Sequence, residues 1–293
     1  MPLSGPIPER FLTIIAAATV FTVMFDLGLG IVLSEFRWVW RHPATIVKGL
    51  FSVLIAVPVL ALAITRVFDL SRSVEIGIVL MAISPGAPVA LRRSLDAGGH
   101  RSFAPALQIL IAMLAVVSMP LTIAVLNAFY AGKATIAPVE LAWQVFVAQL
   151  LPLGLGMLAR RLAPVRATSW LGPKLKRFAN ILLVALTILV LVEVWGTVVD
   201  AGPSIAFAIA LVTVLALTVG HWLGGPDPGA RSTLAISSAM RNPGLALLVA
   251  ALNHAPPAMS ASVLAYLVVS ALIVLAYVAW RRRIVPRGSA RGQ

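Results

Sequence analysis

An arginine stands inside a strongly apolar stretch, in the run Ile236-Ser237-Ser238-Ala239-Met240-Arg241-Asn242-Pro243-Gly244-Leu245. Apolar residues extend around it from about Leu234 to about Leu252. A charge at bilayer depth costs several kcal/mol even on lenient scales, so its default reading is functional. Beside it, Pro243 removes a backbone donor and Gly244 relaxes the chain, so a helix breaks there. A second break is written in Ser84-Pro85-Gly86-Ala87-Pro88. Discontinuous helices leave unpaired backbone groups at mid-membrane, tolerated only where protein, water or a ligand satisfies them. Charge and breaks together are the chemistry of a midplane binding site. The plainer reading is a proline-kinked span whose arginine snorkels to the surface.

Two acids also fall within apolar stretches: Asp26, and Glu193 in Val192-Glu193-Val194-Trp195. A buried arginine needs a partner or an anionic ligand. Asp26 or Glu193 could pair with Arg241 and, by taking a proton, couple movement of a solute to a proton gradient. A static structural pair is an equal alternative. A third is that Arg241 grips a carboxylate ligand directly. Glu193 could equally lie near the outer interface.

These residues need spans to hold them, and the composition supplies them. Of 293 residues 60% are hydrophobic and 11% charged, with mean hydropathy +0.99. A soluble domain carries roughly twice that charge. The pattern predicts an all-α polytopic membrane protein of nine spans, near residues 11–33, 44–64, 74–92, 103–129, 141–158, 178–199, 205–223, 233–252 and 261–280. Each full span has the roughly 20 residues that cross about 30 Å of hydrocarbon. The broken third and eighth spans run in opposite directions, as an inverted repeat requires. The repeats would occupy 11–131 and 138–281 of one transmembrane domain, with a basic cytoplasmic tail at 282–293.

Charge sets the orientation. With nine spans, 18 of the 23 Lys and Arg fall on the side of the C-terminus and 4 on the other; Arg241 is the remaining one. The asymmetry predicts an N-terminus outside and a C-terminus in the cytoplasm. It also explains the net charge of +13 as a girdle facing anionic lipid, with no nucleic acid as partner. A plasma membrane, of the bacterial inner type, is the expected location. Only Glu9 and Arg10 precede the first span as charges, and no cleavable signal is expected.

Several chemistries lack their residues. There is no cysteine, so thiolate metal sites and thiol catalysis are excluded. No Gly-rich loop ending in Lys, no HExxH and no GxSxG occurs. His42, His100, His221 and His254 fall at span ends without metal spacing, His221-Trp222 reading as an interfacial anchor. No enzyme activity, metal or cofactor is expected.

Ordered landmarks over nearly the whole chain resemble the bile acid–sodium symporter family. Phe25-Asp26-Leu27-Gly28-Leu29 is similar to the family's Phe-Gly-Met-Gly-Leu; Phe36, His42-Pro43 and Pro58 follow in order. Pro85-Gly86 resembles the start of its Pro-Gly-Gly-x-x-Ser-Asn crossover. Met240-Arg241-Asn242-Pro243-Gly244-Leu245-Ala246 resembles its Met-Gln-Asn-Ser-Gly-Leu-Ala crossover. The resemblance implies inverted repeats and two crossing discontinuous helices. It assigns spans one, five and six to a panel, which would carry Asp26 and Glu193, and the other six spans to a core. It implies a crossover built on Pro85, Gly86, Pro88, Pro243 and Gly244.

The departures are as informative. The family's sodium ligands correspond to Ala90 and Leu91 in the first crossover, Ala104 and Gln108 in the next span, Ser237 and Arg241 in the second crossover, and a position near Val53. Sodium wants about six hard oxygen ligands. Alanine and leucine side chains give none, and a guanidinium repels the ion. Sodium sites are therefore expected to be absent, with Arg241 in place of a bound cation. The expectation is a secondary transporter of a small organic anion or amphipathic acid, working by alternating access without sodium. Gln108, Ser237, Ser238, Arg241 and Asn242 would line its substrate site, beside half-helix ends at Gly86 and Gly244. The alternative is a non-transporting sensor or scaffold that keeps the fold. A channel is a weaker third reading. The sequence names neither the substrate nor the oligomeric state.

Overall fold

The structure is a computed structural model that describes residues 9–30, 40–129, 137–200 and 202–284. Phe36, the expected outer loop at 130–136 and the tail beyond 284 lie outside the described residues. Those described form helices and short connections, with no strand among them. In chain order the helices are α1 (Glu9–Gly30), α2 (Pro43–Val67), α3 (Arg72–Ile83), α4 (Pro88–Asp96), α5 (Phe103–Phe129) and α6 (Pro138–Leu162). There follow α7 (Val165–Asp200), α8 (Gly202–Leu223), α9 (Pro228–Ala239), α10 (Pro243–Leu252) and α11 (Pro257–Ile284).

Eight segments among the described residues are long and apolar enough to cross a membrane, with α9 and α10 together making one of them. The expected third span is divided between α3 and α4, of 12 and 9 residues, each too short to cross alone. The sixth expected span is longer than its apolar core: α7 runs 36 residues, and its first turns carry Lys174, whose ammonium stands 3.4 Å from the centre of the Trp170 ring. His221, read as an interfacial residue, is half-buried at the end of α8. Its Nδ1 lies 2.7 Å from the Tyr277 hydroxyl of α11, while Trp222 is exposed.

Prolines shape two helices without ending them. Pro58 has no N–H and its ring crowds the carbonyl four residues back. The preceding turn of α2 widens to a π-helix over Ser52–Ala56, and Val57 N–H bonds the carbonyl of Ser52, five residues back. Pro152 does the same to α6, where the π turn is Phe146–Leu150 and Leu151 N–H bonds Phe146.

The helices pack in two groups. In one, α1 lies against both α6 and α7. Gly28 and Gly156 face each other across α1 and α6, so close that a Cβ on either would strike the other helix's backbone. Arg160 Nη1 donates to the Leu29 carbonyl at the end of α1, 2.7 Å away. In the other group, α8 packs on α9 and α11 on α3. Gly220 accepts the backbone of Leu234 and Ala235, and Gly77 the Met259 carbonyl and Ser262. The first group holds the helices assigned to the panel by resemblance, the second helices assigned to the core.

Candidate functional site

The two breaks meet. After Ile83 the chain leaves the helix at Ser84, turns through Gly86 at φ +84°, a conformation that disfavours any side chain, and re-enters a helix at Pro88. On the other side, α9 begins on Asp227, whose carboxylate accepts from Gly229 and Ala230 N–H, and ends at Ala239. Met240 to Asn242 are extended, and α10 restarts with Asn242 as its cap, Oδ1 accepting from Leu245 N–H at 3.1 Å. Asn242 N–H donates to the Ser84 carbonyl at 2.9 Å, joining one break to the other.

Arg241 points away from solvent, 2% exposed. Its Nη1 donates to the Val53 carbonyl at 3.0 Å and its Nη2 to the Ser238 carbonyl at 2.8 Å. Both acceptors have lost their regular helical donors. For Val53, the donor four residues on, Val57 N–H, is taken by Ser52, and the residue five on is Pro58, which has none. For Ser238, the donor four residues on is Asn242 N–H, which goes to Ser84. The guanidinium therefore sits between two orphaned carbonyls, as a bound cation would. Ser238 Oγ closes the same contact from the side, 2.7 Å from Ser52 Oγ. Tyr266 of α11, fully buried, stands beside both Arg241 and the buried Thr213 of α8, though neither gives its hydroxyl hydrogen-bond geometry. Arg241 Nε has no partner. Among the described residues no carboxylate lies within ion-pair distance of the guanidinium.

The remaining expected residues are spread around this centre. Gln108, on α5, is buried with its Nε2 unpartnered, and Ser237 is buried on α9. Pro85 and the carbonyl-bearing turn of α2 line a crevice with Pro58, Ile83, Ser118 and Thr122 that is too tight to admit a water molecule, far below the roughly 300–1,000 Å³ of a ligand pocket. Pro88 and Pro243 each open a half-helix. At Gly244 a Cβ would stand 3.3 Å from Val20 of α1, so the second break faces the panel helices. Asp26 is half-buried on α1, and the charged groups facing it are Lys176 and Arg92; the structure does not bring it to Arg241. Glu193 is on α7, and its side chain lies outside the described ones.

Three contributors were not legible from residue type. Val53, near a side-chain ligand position implied by the resemblance, acts instead through its backbone carbonyl, which Pro58, five positions on, leaves without a donor. Tyr266 sits in an otherwise apolar span. Gln149 lies in the π turn of α6 with a fully buried side chain; its Nε2 donates to the Ala112 carbonyl of α5 at 2.8 Å, and its Oε1 has no partner.

A model of the sodium bile acid symporter family matches residues 17–201, which include the first break and end before the second. A rice (Oryza sativa subsp. japonica) protein described as a probable chloroplastic sodium/metabolite cotransporter is 26% identical over 275 residues. The alignment covers 90% of this chain and 63% of the rice protein. With the family model spanning well over half of its residues, the chain belongs to the sodium bile acid symporter family.

Proposed function

We propose that this protein is a secondary transporter that moves a small organic anion by alternating access, without sodium. The observation that carries the reading is the Arg241 guanidinium on the carbonyls of Val53 and Ser238. The resemblance places sodium ligands at Ser237, at Arg241 and near Val53, and a covalently attached cation holds that place here. Sodium appears in the description of the rice relative, of whose length the chain spans less than two thirds. Ala90, Leu91 and Ala104 offer no side-chain oxygen for it. A net positive centre beside two half-helix N-termini favours an anionic cargo.

In this reading α1, α6 and α7 form the panel, and the crossed breaks move with the core against it. The N-terminus is outside and the C-terminus cytoplasmic, as the 18-to-4 distribution of basic residues requires of nine spans. The two groups of spans at 11–131 and 138–281 are inverted repeats. Glu193 remains the acid through which protons would couple, and Asp26 is assigned to the cytoplasmic face of the panel with Lys176 and Arg92.

The test is counterflow. Proteoliposomes loaded with candidate organic anions should exchange labelled anion at the same rate in sodium and in choline. Saturable exchange that requires sodium, or a sodium-specific rise in melting temperature at constant ionic strength, would refute sodium independence. Absence of exchange for every anion that stabilises the protein would favour the sensor or scaffold alternative.

A further inference from the structure

Resting on the transport reading, we propose that Gln149 is a specificity-determining residue in the cargo path: its carboxamide oxygen reads a hydrogen-bond donor on the anion. The residue is placed for this by the π turn of α6, between a panel helix and the first break of the core. A Cβ built on Gly86 would stand 3.6 Å from Gln149 Nε2, ordinary contact distance, so the amide lies directly against the first break. Immediately beyond, α4 starts on Ala87, which has no side chain able to cap it. The nine-residue α4 therefore offers an uncapped, partially positive N-terminus beside a polar side chain.

The unpartnered oxygen is the second and independent observation. Gln149 is 0% exposed, yet Oε1 meets no donor. A buried acceptor left unmade is a standing cost, and natural structures keep few of them. A leucine would fill the same volume without that cost. The amide's only hydrogen bond goes to Ala112, whose carbonyl lies in the interior of α5. At the second break the matching group is Asn242 Nδ2, 4% exposed and without an acceptor. The Asn242–Ser84 backbone bond ties the two breaks together, so one unmet acceptor and one unmet donor flank the joined crossover. An anion carrying its own N–H or O–H is complementary to both: its donor goes to Gln149 Oε1, and its carboxylate to Asn242 Nδ2 and the start of α4.

A purely structural glutamine would only pin α6 to α5, and two measurements separate the roles. The protein has no cysteine, so a single thiol can be introduced cleanly. Gln149→Cys in proteoliposomes should react with a charged methanethiosulfonate reagent, because the contact opens during the cycle. Ile78→Cys, equally buried inside the core, should react at least roughly tenfold more slowly. Equal, slow labelling at both positions would overturn the placement in the path, while counterflow by the unaltered protein would still stand. For recognition, melting temperature is measured with propionate and lactate, monoanions that differ by one hydroxyl, as matched probes. Lactate should stabilise the unaltered protein more than propionate does, and Gln149→Leu should erase the difference. No difference in the unaltered protein, or a difference that survives in Gln149→Leu, would overturn the assignment.

Discussion

Among the described side chains Arg241 meets backbone carbonyls and no counter-charge, and that fixes what its removal should do. Arg241→Ala bares the Val53 and Ser238 carbonyls, each left without its helical donor. A buried acceptor left unpaired costs about 1–3 kcal/mol. The variant should therefore melt well below the unaltered protein, and Arg241→Lys should recover only part of the loss, since an ammonium cannot reach both carbonyls with a planar fork. A neutral or stabilising Arg241→Ala would mean that the guanidinium does not hold these carbonyls. The same geometry predicts a gain. Ser237→Glu with Arg241→Gln returns a carboxylate and an amide to positions where the resemblance expects sodium ligands. The double variant should acquire a sodium-specific rise in melting temperature that potassium does not give; identical melting in the two salts would count against the substitution of arginine for ion. At this scale the sequence was uneven evidence. Arg241, Pro243 and Gly244 announced themselves because a charge, a missing donor and a missing side chain are properties of residue type. Val53 came into view only through the resemblance, and there as a side-chain position, because its contribution is a carbonyl that any residue carries. Gln149 did not announce itself, because its partner is 37 positions away on another helix.

Between α4 and α5 the chain forms a small polar knot that fastens the half-helices together. Ser94 Oγ donates to Thr233 Oγ1, which also accepts from His100 N–H. Ser232 Oγ donates to the Ala97 carbonyl and accepts from Arg281 Nε, so α4, α9 and α11 share one anchor. His100 is also the cap of α5: its Nδ1 accepts from the N–H groups of Ser102 and Phe103. Accepting requires an unprotonated Nδ1. Burial lowers the pKa of His100 below its ordinary 6.5; Asp227 opposes the shift and His42 reinforces it. With a depressed folded pKa, the stabilisation is complete above pH 6.5 and is lost as pH falls through the folded value. The protein should thus lose stability as pH falls below 6.5, and His100→Asn, a cap that does not titrate, should flatten that loss. A pH profile unchanged in His100→Asn would remove His100 as its cause. The π turns show what element-level reading captures and what it misses. Pro58 and Pro152 are plain in the sequence as irregularities, but whether a helix kinks, breaks or widens depends on the neighbours that receive the released carbonyl.

For the molecule as a whole, composition carried the all-helical, membrane-spanning character. Eight segments among the described residues are long and apolar enough to cross, and the expectation of a ninth rests on reading the Pro-Gly break after α3 as an interruption. The orientation is checked with single thiols. Lys174→Cys and Arg287→Cys should be labelled only from the cytoplasmic side, and Gly132→Cys only from outside. Labelling of Lys174→Cys and Gly132→Cys from the same side would remove one span from the count. The packing of the panel was not legible in the same way. Gly28 and Gly156 are unexceptional glycines in apolar runs, and only their apposition makes them a contact between backbones.

The attachment of the cation to the chain has an energetic consequence. A sodium ion that enters with cargo leaves with it, and its fall down a gradient drives the uphill step. On the transport reading proposed above, a guanidinium would return to its starting point with each cycle and deliver no work, so Arg241 would lend charge to the carrier without lending it power. Left to itself, such a carrier exchanges or equilibrates its anion. Its charge still feels the membrane: a full elementary charge crossing the field exchanges about 2.3 kcal/mol per 100 mV. A monovalent anion bound beside Arg241 cancels that charge, and the empty carrier bears it alone. Voltage should accordingly act on the return of the empty carrier and leave the loaded step nearly untouched. On a supported membrane, exchange of anion for anion should be electrically silent while net flux generates current, and a current evoked by a sodium jump alone would contradict the assignment of Arg241.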